Sequence, residues 1–122
     1  MKMKRSRYIS MVDKHWVDIP GFEGLYIVSS LGDVLSKTHM QYYKLSDKNI
    51  SRIKRGRPLA INNRGQVRLV RNGRPKIVKV DRLVATLFVP NPNNYKWVKH
   101  LDGDQDNCKY YNLEWTSIRP KY

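Results

Sequence analysis

The chain has 122 residues, with 24 Lys and Arg against 10 Asp and Glu, which gives a net charge of +14. A chain of this length forms one small domain or two very small modules, not a large enzyme. Its one cysteine, Cys108, excludes an internal disulfide and any cysteine-based zinc site. No apolar stretch approaches the roughly 18 residues of a membrane span, and no basic amphipathic helix is evident, so a membrane partner is disfavoured.

The first residues read Met-Lys-Met-Lys-Arg-Ser-Arg, and no apolar segment follows them. This start is therefore not a secretory signal. We expect residues 1–13 to form a flexible basic arm. The lack of a secretory signal and the single cysteine together indicate a cytoplasmic protein.

Positive charge is concentrated in the middle third of the chain. Residues 37–76 hold 12 basic side chains and one acid, Asp47, whereas residues 1–36 and 77–122 are nearly neutral, at +1 and +2. Such a block repels itself unless a polyanion is nearby, and nucleic acid is the commonest one. The pattern predicts a nucleic-acid-binding protein, with duplex DNA as the expected partner.

Residues 14–38 contain a hairpin pattern. Leu25–Ser29 and Val34–Ser36 are apolar and β-prone, and Gly32-Asp33 between them is a turn signal. Trp16 and Phe22 are predicted to cover the apolar face. Residues 39–57 lose the pattern and predict a basic loop or linker that orders on DNA, with Tyr42 and Tyr43 as candidate DNA contacts.

Residues 58–80 predict a β-meander of three strands, Leu59–Ile61, Gln66–Val70 and Lys76–Val80. Apolar and basic residues roughly alternate in the last two, so one face would pack inward and the other would present cations. The candidate DNA-binding residues are the cations from residue 52 to residue 79: Arg52, Lys54, Arg55, Arg57, Arg64, Arg68, Arg71, Arg74, Lys76 and Lys79.

From residue 81 the apolar spacing becomes helical, with Asp81 as the expected N-cap and Pro90 as the stop. Strands are predicted at Trp97–Leu101 and Asn112–Trp115, around an Asp-Gly-Asp turn. The fold class is therefore α+β, built from small antiparallel hairpins and short helices.

Two runs of residues carry a family resemblance. The first is Ile-Pro-Gly-Phe-Glu-Gly-Leu-Tyr-Ile-Val-Ser-Ser-Leu-Gly-Asp-Val. The second is Val-Asp-Arg-Leu-Val-Ala, then Pro-Asn-Pro, then Lys-His-Leu-Asp-Gly-Asp, then Asn-Leu-Glu-Trp. Together they resemble the HNH endonucleases of phages and mobile introns, in which a small DNA-binding module precedes the nuclease motif. The matches cover about two thirds of the chain, and residues 58–122 are the HNH-like part.

The resemblance implies a ββα-metal site in which His100 is the general base and Asn112 braces the site. It also implies a Mg²⁺-type ion, whereas Asp102 and Asp104 match structural acids of the turn. The usual ligand before the histidine is replaced by Lys99, and the helix after Asn-Leu-Glu-Trp is truncated. We therefore expect a degenerate site with weak or absent Mg²⁺ binding, and we assign no metal ligands.

Three functions remain open from the sequence. The favoured one is a DNA-binding protein of the HNH homing-endonuclease family whose metal-dependent nicking is weak or lost. The second is an active nickase that uses His100. The third is a protein-interaction module that inhibits a host nucleic-acid enzyme, with a host or phage protein as its partner.

Overall fold

A computed structural model describes residues 14–121, so the predicted arm at residues 1–13 lies outside the described residues. The first unit is a three-stranded antiparallel sheet of β1 (Trp16–Asp18), β2 (Tyr26–Ser29) and β3 (Val34–Ser36). The predicted hairpin is confirmed, and Gly32 in its turn has φ +92. Phe22 is buried as predicted. The prediction that Trp16 covers the apolar face is wrong, because Trp16 lies in edge strand β1 and is 38% exposed.

The predicted loop at 39–57 is wrong. Residues 39–54 form a two-stranded antiparallel hairpin of β4 (His39–Leu45) and β5 (Lys48–Lys54), with seven paired positions. We call this hairpin the ribbon. Its turn is Ser46-Asp47, where Ser46 has φ 55. The Met, Tyr and Ile residues favour pairing as strands, and their spacing was obscured by the charges between them.

The base of the ribbon is tied to the first sheet. Ser36 and Arg57 exchange two backbone hydrogen bonds, of 2.8 and 3.2 Å, and the Gly56 N–H donates to Thr38 Oγ1 at 3.0 Å. A Cβ on Gly56 would collide with the carbonyl oxygen of Ser36, so only glycine allows this close passage. The chain therefore leaves the first sheet and returns to it at the same point. We call the described residues outside the ribbon the body.

Two of the three predicted meander strands form, as β6 (Gln66–Arg71) and β7 (Arg74–Lys79). The strand predicted at Leu59–Ile61 is absent. The chain there makes only an isolated bridge between Pro58 and Leu35, and proline has no N–H with which to extend a ladder.

The α-helix α1 spans Val80–Phe88 and buries Val80, Val84 and Ala85. The prediction that Asp81 caps this helix is wrong, because the N-cap residue is Lys79 and no side chain caps the end. At the other end, the Trp115 indole N–H lies 3.3 Å from the Ala85 carbonyl, which also accepts the Val89 N–H, and 3.1 Å from the Val89 carbonyl, so Trp115 is tied to the end of the helix.

The last hairpin pairs β8 (Trp97–His100) with β9 (Leu113–Thr116), close to the predicted bounds. A short 3-10 turn at Tyr110–Asn112 leads into β9. Residues 117–121 form no helix.

One apolar core joins the first sheet to the rest of the body. Val28 and Val34 from the first sheet are buried with Leu69, Val84 and Leu113 in the same cluster. The segments 14–38 and 58–121 are thus distinct in sequence but not in packing, and the fold is α+β as predicted. In the part of the chain that the structure describes, no helix has the length and apolar character needed to cross a bilayer.

Candidate nuclease-like site and basic surface

His100 is held at the end of β8 by two acceptors. Its ring is only 2% exposed. Nδ1 lies 3.1 Å from the carbonyl oxygen of Asn107, and Nε2 lies 3.0 Å from Oδ2 of Asp81. The turn supplies the first contact and the first turn of α1 the second, so three elements fix the ring.

These contacts select the charged form of the ring. A carbonyl and a carboxylate only accept hydrogen bonds, and a neutral imidazole has only one N–H to donate. The hydrogen bond that the His100 ring donates to Asp81 raises the pKa of His100, against the lowering effect of burial. Burial raises the pKa of Asp81, but the bond with His100 and the charge of Lys79 outweigh it, so its pKa is lowered. Both shifts favour the imidazolium-carboxylate form of the pair.

Sequence reasoning missed this role of Asp81. The residue stands 19 positions before His100, and nothing in its local pattern distinguishes it from a helix cap. Its second oxygen, Oδ1, is buried without a hydrogen-bond partner within the described residues.

A cavity of about 230 Å³ opens beside the pair. Asp81, His100, Gln105 and Cys108 line it, together with four cations at Arg64, Lys79, Arg82 and Arg119. Two of these cations are already engaged: Arg82 donates to the Lys96 carbonyl at 2.9 Å, and the Arg119 guanidinium lies 5.3 Å from the centre of the Trp97 ring. The cavity therefore places four cations around the largely buried Asp81 carboxylate.

Asn112 braces the acidic turn, and its predicted role in a catalytic site stays a prediction. Its Nδ2 donates to Asp102 Oδ1 and to the Asn107 carbonyl, each at 2.9 Å, and its Oδ1 accepts from the Asp102 N–H at 3.1 Å. Asp102 also accepts from Asn107 and from the Asp104 N–H, and these bonds, led by that of Asn107, lower the pKa of Asp102 to about 2. The turn acids are thus structural, and they position the carbonyl that holds His100.

The described residues do not fit a bound Mg²⁺ ion. Lys99 is exposed and, because side chains alternate along a strand, it points away from the face that buries Val98 and His100. Both polar atoms of the Asn112 amide already form hydrogen bonds within the turn, and Asp81 Oδ1 is buried. From residue 14 to residue 121 no group of three or more His, Cys, Asp or Glu side chains could hold a metal.

All ten predicted DNA-binding cations are exposed, but the structure divides them among four places. Arg52 and Lys54 lie on the ribbon, Arg55 and Arg57 lie at its base, and Arg64 and Lys79 border the cavity. On β6 and β7 the strand register places Arg68 with Lys79 on one face and Arg71, Arg74 and Lys76 on the other. Arg71 is partly engaged, since it donates to the Gly21 carbonyl at 2.6 Å.

Geometry defines the class of this site. A strand ends in a buried histidine, an acidic turn follows, and an asparagine before the returning strand closes the turn, as in the strand-turn-strand half of an HNH nuclease site. The profile described as the NUMOD4 motif matches residues 15–113, and the chain belongs to this family. The chain is also homologous to HNH endonucleases.

Three relatives give the extent of the similarity. DNA endonuclease I-HmuI of Bacillus phage SP01 is 34% identical over 106 residues, which are 84% of this chain and 52% of that protein. Two uncharacterized HNH endonucleases of Acanthamoeba polyphaga mimivirus also match. L247 is 33% identical over 118 residues, 89% of this chain and 25% of the relative. L245 is 45% identical over 40 residues, 33% of this chain and 12% of the relative.

A solved structure supports the same relationship. The chain matches the structure described as "DNA binding and cleavage by the HNH homing endonuclease I-HmuI" with a TM-score of 0.58 and 33% sequence identity. The match covers 84% of this chain and 52% of that one. The chain thus spans about half the length of this relative, and less of the mimivirus proteins.

Proposed function

We propose that this protein binds duplex DNA through its basic surface and that its own metal-dependent nicking is weak or lost. The DNA partner is supported by the charge of +11 in residues 37–76, by the exposure of all ten candidate cations, and by the names of its relatives, which describe DNA endonucleases. Phosphate contacts by Lys and Arg supply most of the affinity in such binding.

The loss of chemistry rests on the state of His100. A general base needs a free lone pair within reach of the water that it activates. Here both ring nitrogens contact acceptors, and Asp81 covers Nε2, so the imidazolium has no lone pair to offer. The missing ligand at Lys99 weakens the metal position independently.

A plasmid-nicking assay tests the proposal. Supercoiled plasmid is incubated with the wild type and with His100→Ala in Mg²⁺ or Mn²⁺, and His39→Ala serves as the control for removal of a histidine outside the site. We expect duplex binding in a gel-shift assay, with nicking near background for all three proteins. Robust Mg²⁺-dependent nicking by the wild type that His100→Ala abolishes would refute the loss of chemistry.

The second candidate is an active nickase with His100 as general base. It is favoured by one observation: the Asn107 carbonyl orients the ring through Nδ1, which would leave Nε2 as the basic nitrogen if Asp81 withdrew. The variant Asp81→Ala tests this in the same assay. Nicking by the wild type that Asp81→Ala increases would support this candidate, whereas nicking by Asp81→Ala alone would identify Asp81 as the group that silences the base.

A further inference from the structure

The two faces of the ribbon differ in chemistry. Cross-strand register places two sets of side chains on opposite sides. The first set, which we call the reading face, is Met40, Tyr42, Lys44, Asn49, Ser51 and Ile53. The second, which we call the cationic face, contains His39, Gln41, Leu45, Lys48, Ile50, Arg52 and Lys54.

The reading face exposes three large side chains with apolar surface. Met40, Tyr42 and Ile53 are 44%, 74% and 60% exposed, and Lys44, Asn49 and Ser51 beside them are exposed as well. A two-stranded hairpin is at best marginally stable alone, and contiguous exposed apolar side chains usually mark a binding surface. Among the residues that the structure describes, none covers the reading face.

Charge identifies the kind of partner. Residues 37–57 carry seven cations and one acid, Asp47 at the tip of the ribbon. A second copy of this chain would bring the same positive charge, whereas a nucleic-acid duplex brings dense negative charge on both sides of an accessible groove. A DNA duplex offers phosphates to the cationic face and base edges to the apolar side chains of the reading face.

The dimensions of the ribbon match the major groove. Strands of seven residues extend about 24 Å, which is about seven base pairs, and a two-stranded ribbon fits a groove about 12 Å wide and 8.5 Å deep. With the reading face against the bases, the cationic face lies at the height of the groove rims, where the phosphates are. Long Lys and Arg side chains there reach phosphate without entering the groove.

We propose that the ribbon is a sequence-reading element that inserts its reading face into the major groove of DNA. Tyr42, Asn49 and Ser51 meet base edges, and Met40 and Ile53 contact thymine methyl groups. Lys48, Arg52 and Lys54 bind the phosphates along the rims. This inference rests on the proposed DNA binding and adds to it a division of labour, since phosphate contacts position a protein and base contacts specify the sequence.

The experiment begins with selection of a preferred site from random duplexes by the wild-type chain. Three variants are then compared on that site and on random DNA over a range of salt. The reading-face variant is Met40→Ser, Tyr42→Ala, Asn49→Ala and Ile53→Ser. The cationic-face variant is Lys48→Ala, Arg52→Ala and Lys54→Ala. The excision variant replaces residues 39–54 by Gly-Gly, which the paired return of the chain at Ser36 and Arg57 makes feasible.

Each face has its own expected signature. The reading-face variant loses about 10- to 100-fold in affinity for the selected site and little for random DNA, with an unchanged salt slope. The cationic-face variant weakens binding to both DNAs and flattens the log-log salt slope by roughly two to three units. The excision variant loses both, and unchanged thermal unfolding shows that the body is intact.

Several outcomes would overturn the inference. One is an excision variant that retains the site preference of the wild type. Another is a reading-face variant that weakens selected and random DNA equally. A third is a reading face needed only for dimerisation, measured by light scattering, or only for binding to anionic phosphatidylserine vesicles. A wild type that binds no duplex DNA at any salt would instead refute the proposed function itself, and this inference with it.

Discussion

The ribbon and the His100 site hold their charges in different surroundings. The cations of the ribbon lie in solvent, whereas the charged pair at the site is largely buried. On the ribbon, Lys48, Arg52 and Lys54 are exposed, so their charges cost little to hold in water. At the site, His100 and Asp81 are largely withdrawn from water, and each charge persists only because the other neutralises it. The comparison indicates that ribbon substitutions should change binding without changing stability, and that site substitutions should do the reverse.

The largest expected effect is on stability, from His100→Ala. Removing the imidazolium leaves the Asp81 carboxylate buried without its partner, which should lower the free energy of unfolding by about 3 kcal/mol or more. Urea denaturation measures it, with His39→Ala on the ribbon as the matched control, expected within about 0.5 kcal/mol of wild type. Equal losses in the two variants would break the comparison between site and ribbon.

The next effect is on DNA binding. Replacing Arg52, Lys54, Arg55 and Arg57 together by Ala should flatten the log-log salt slope by roughly three to four units from a wild-type value of about −5. Fluorescence anisotropy against salt measures the slope, and the variant should unfold like the wild type. The control removes Lys96, Lys109 and Lys121 from the other end of the chain. A slope near zero in the wild type would count against nucleic acid and favour a protein partner.

A smaller effect concerns pH and sharpens the account of the site. The raised pKa of His100 stabilises the fold below its ordinary pKa of about 6.5, and this contribution is lost as the pH rises through the raised value. The lowered pKa of Asp81 adds stability above about pH 3.8, which is lost as the pH falls through the lowered value. The pair should therefore stabilise most between roughly pH 4 and 6.5.

Thermal unfolding against pH measures this dependence in the wild type and in Asp81→Asn. The difference in Tm between the two proteins should be largest near pH 5 to 6 and should shrink in alkaline buffer. A titration of the His100 ring by NMR provides the direct reading. A pKa of His100 at or below its ordinary value would show that the ring is not an imidazolium in the fold.

The smallest effect is expected from Lys99→Asp, which places a carboxylate where the HNH resemblance implies a metal ligand. Mg²⁺ binding should strengthen only slightly, because an ammonium is removed but the side chain at position 99 points away from the face that holds His100. Nicking should rise less than metal affinity, since His100 stays paired with Asp81. Isothermal titration with Mg²⁺ and the plasmid assay measure the two quantities, and Lys96→Asp controls for the change in charge. Full cleavage by Lys99→Asp would show that the ligand alone was missing.

Local patterns predicted the hairpins well, because turn chemistry and alternation act within a few residues. Gly32 in its turn and the bounds of β6 and β8 followed from such signals. The family motif placed His100 at the site. Contacts between distant residues could not be predicted this way, and the pairing of Asp81 with His100 is the clearest case.

The ribbon was missed for a different reason. Its strands face solvent on both sides, so no buried face imposes the alternation on which strand prediction depends. High charge in such a segment is also typical of disorder. The β-prone Met, Tyr and Ile residues indicated strands, but their pairing became evident only from the strand register in the structure.

The bonds from the Trp115 indole to the carbonyls of Ala85 and Val89, at the C-terminal end of α1, affect the timing of folding. A helix of nine residues is too short to persist alone in water, so α1 depends on its packing partners. Two of its anchors, His100 and Trp115, arrive 12 and 27 residues after Phe88 on the growing chain. On the ribosome, the helix should therefore dock only after β9 has emerged, and the body should fold late and in one step.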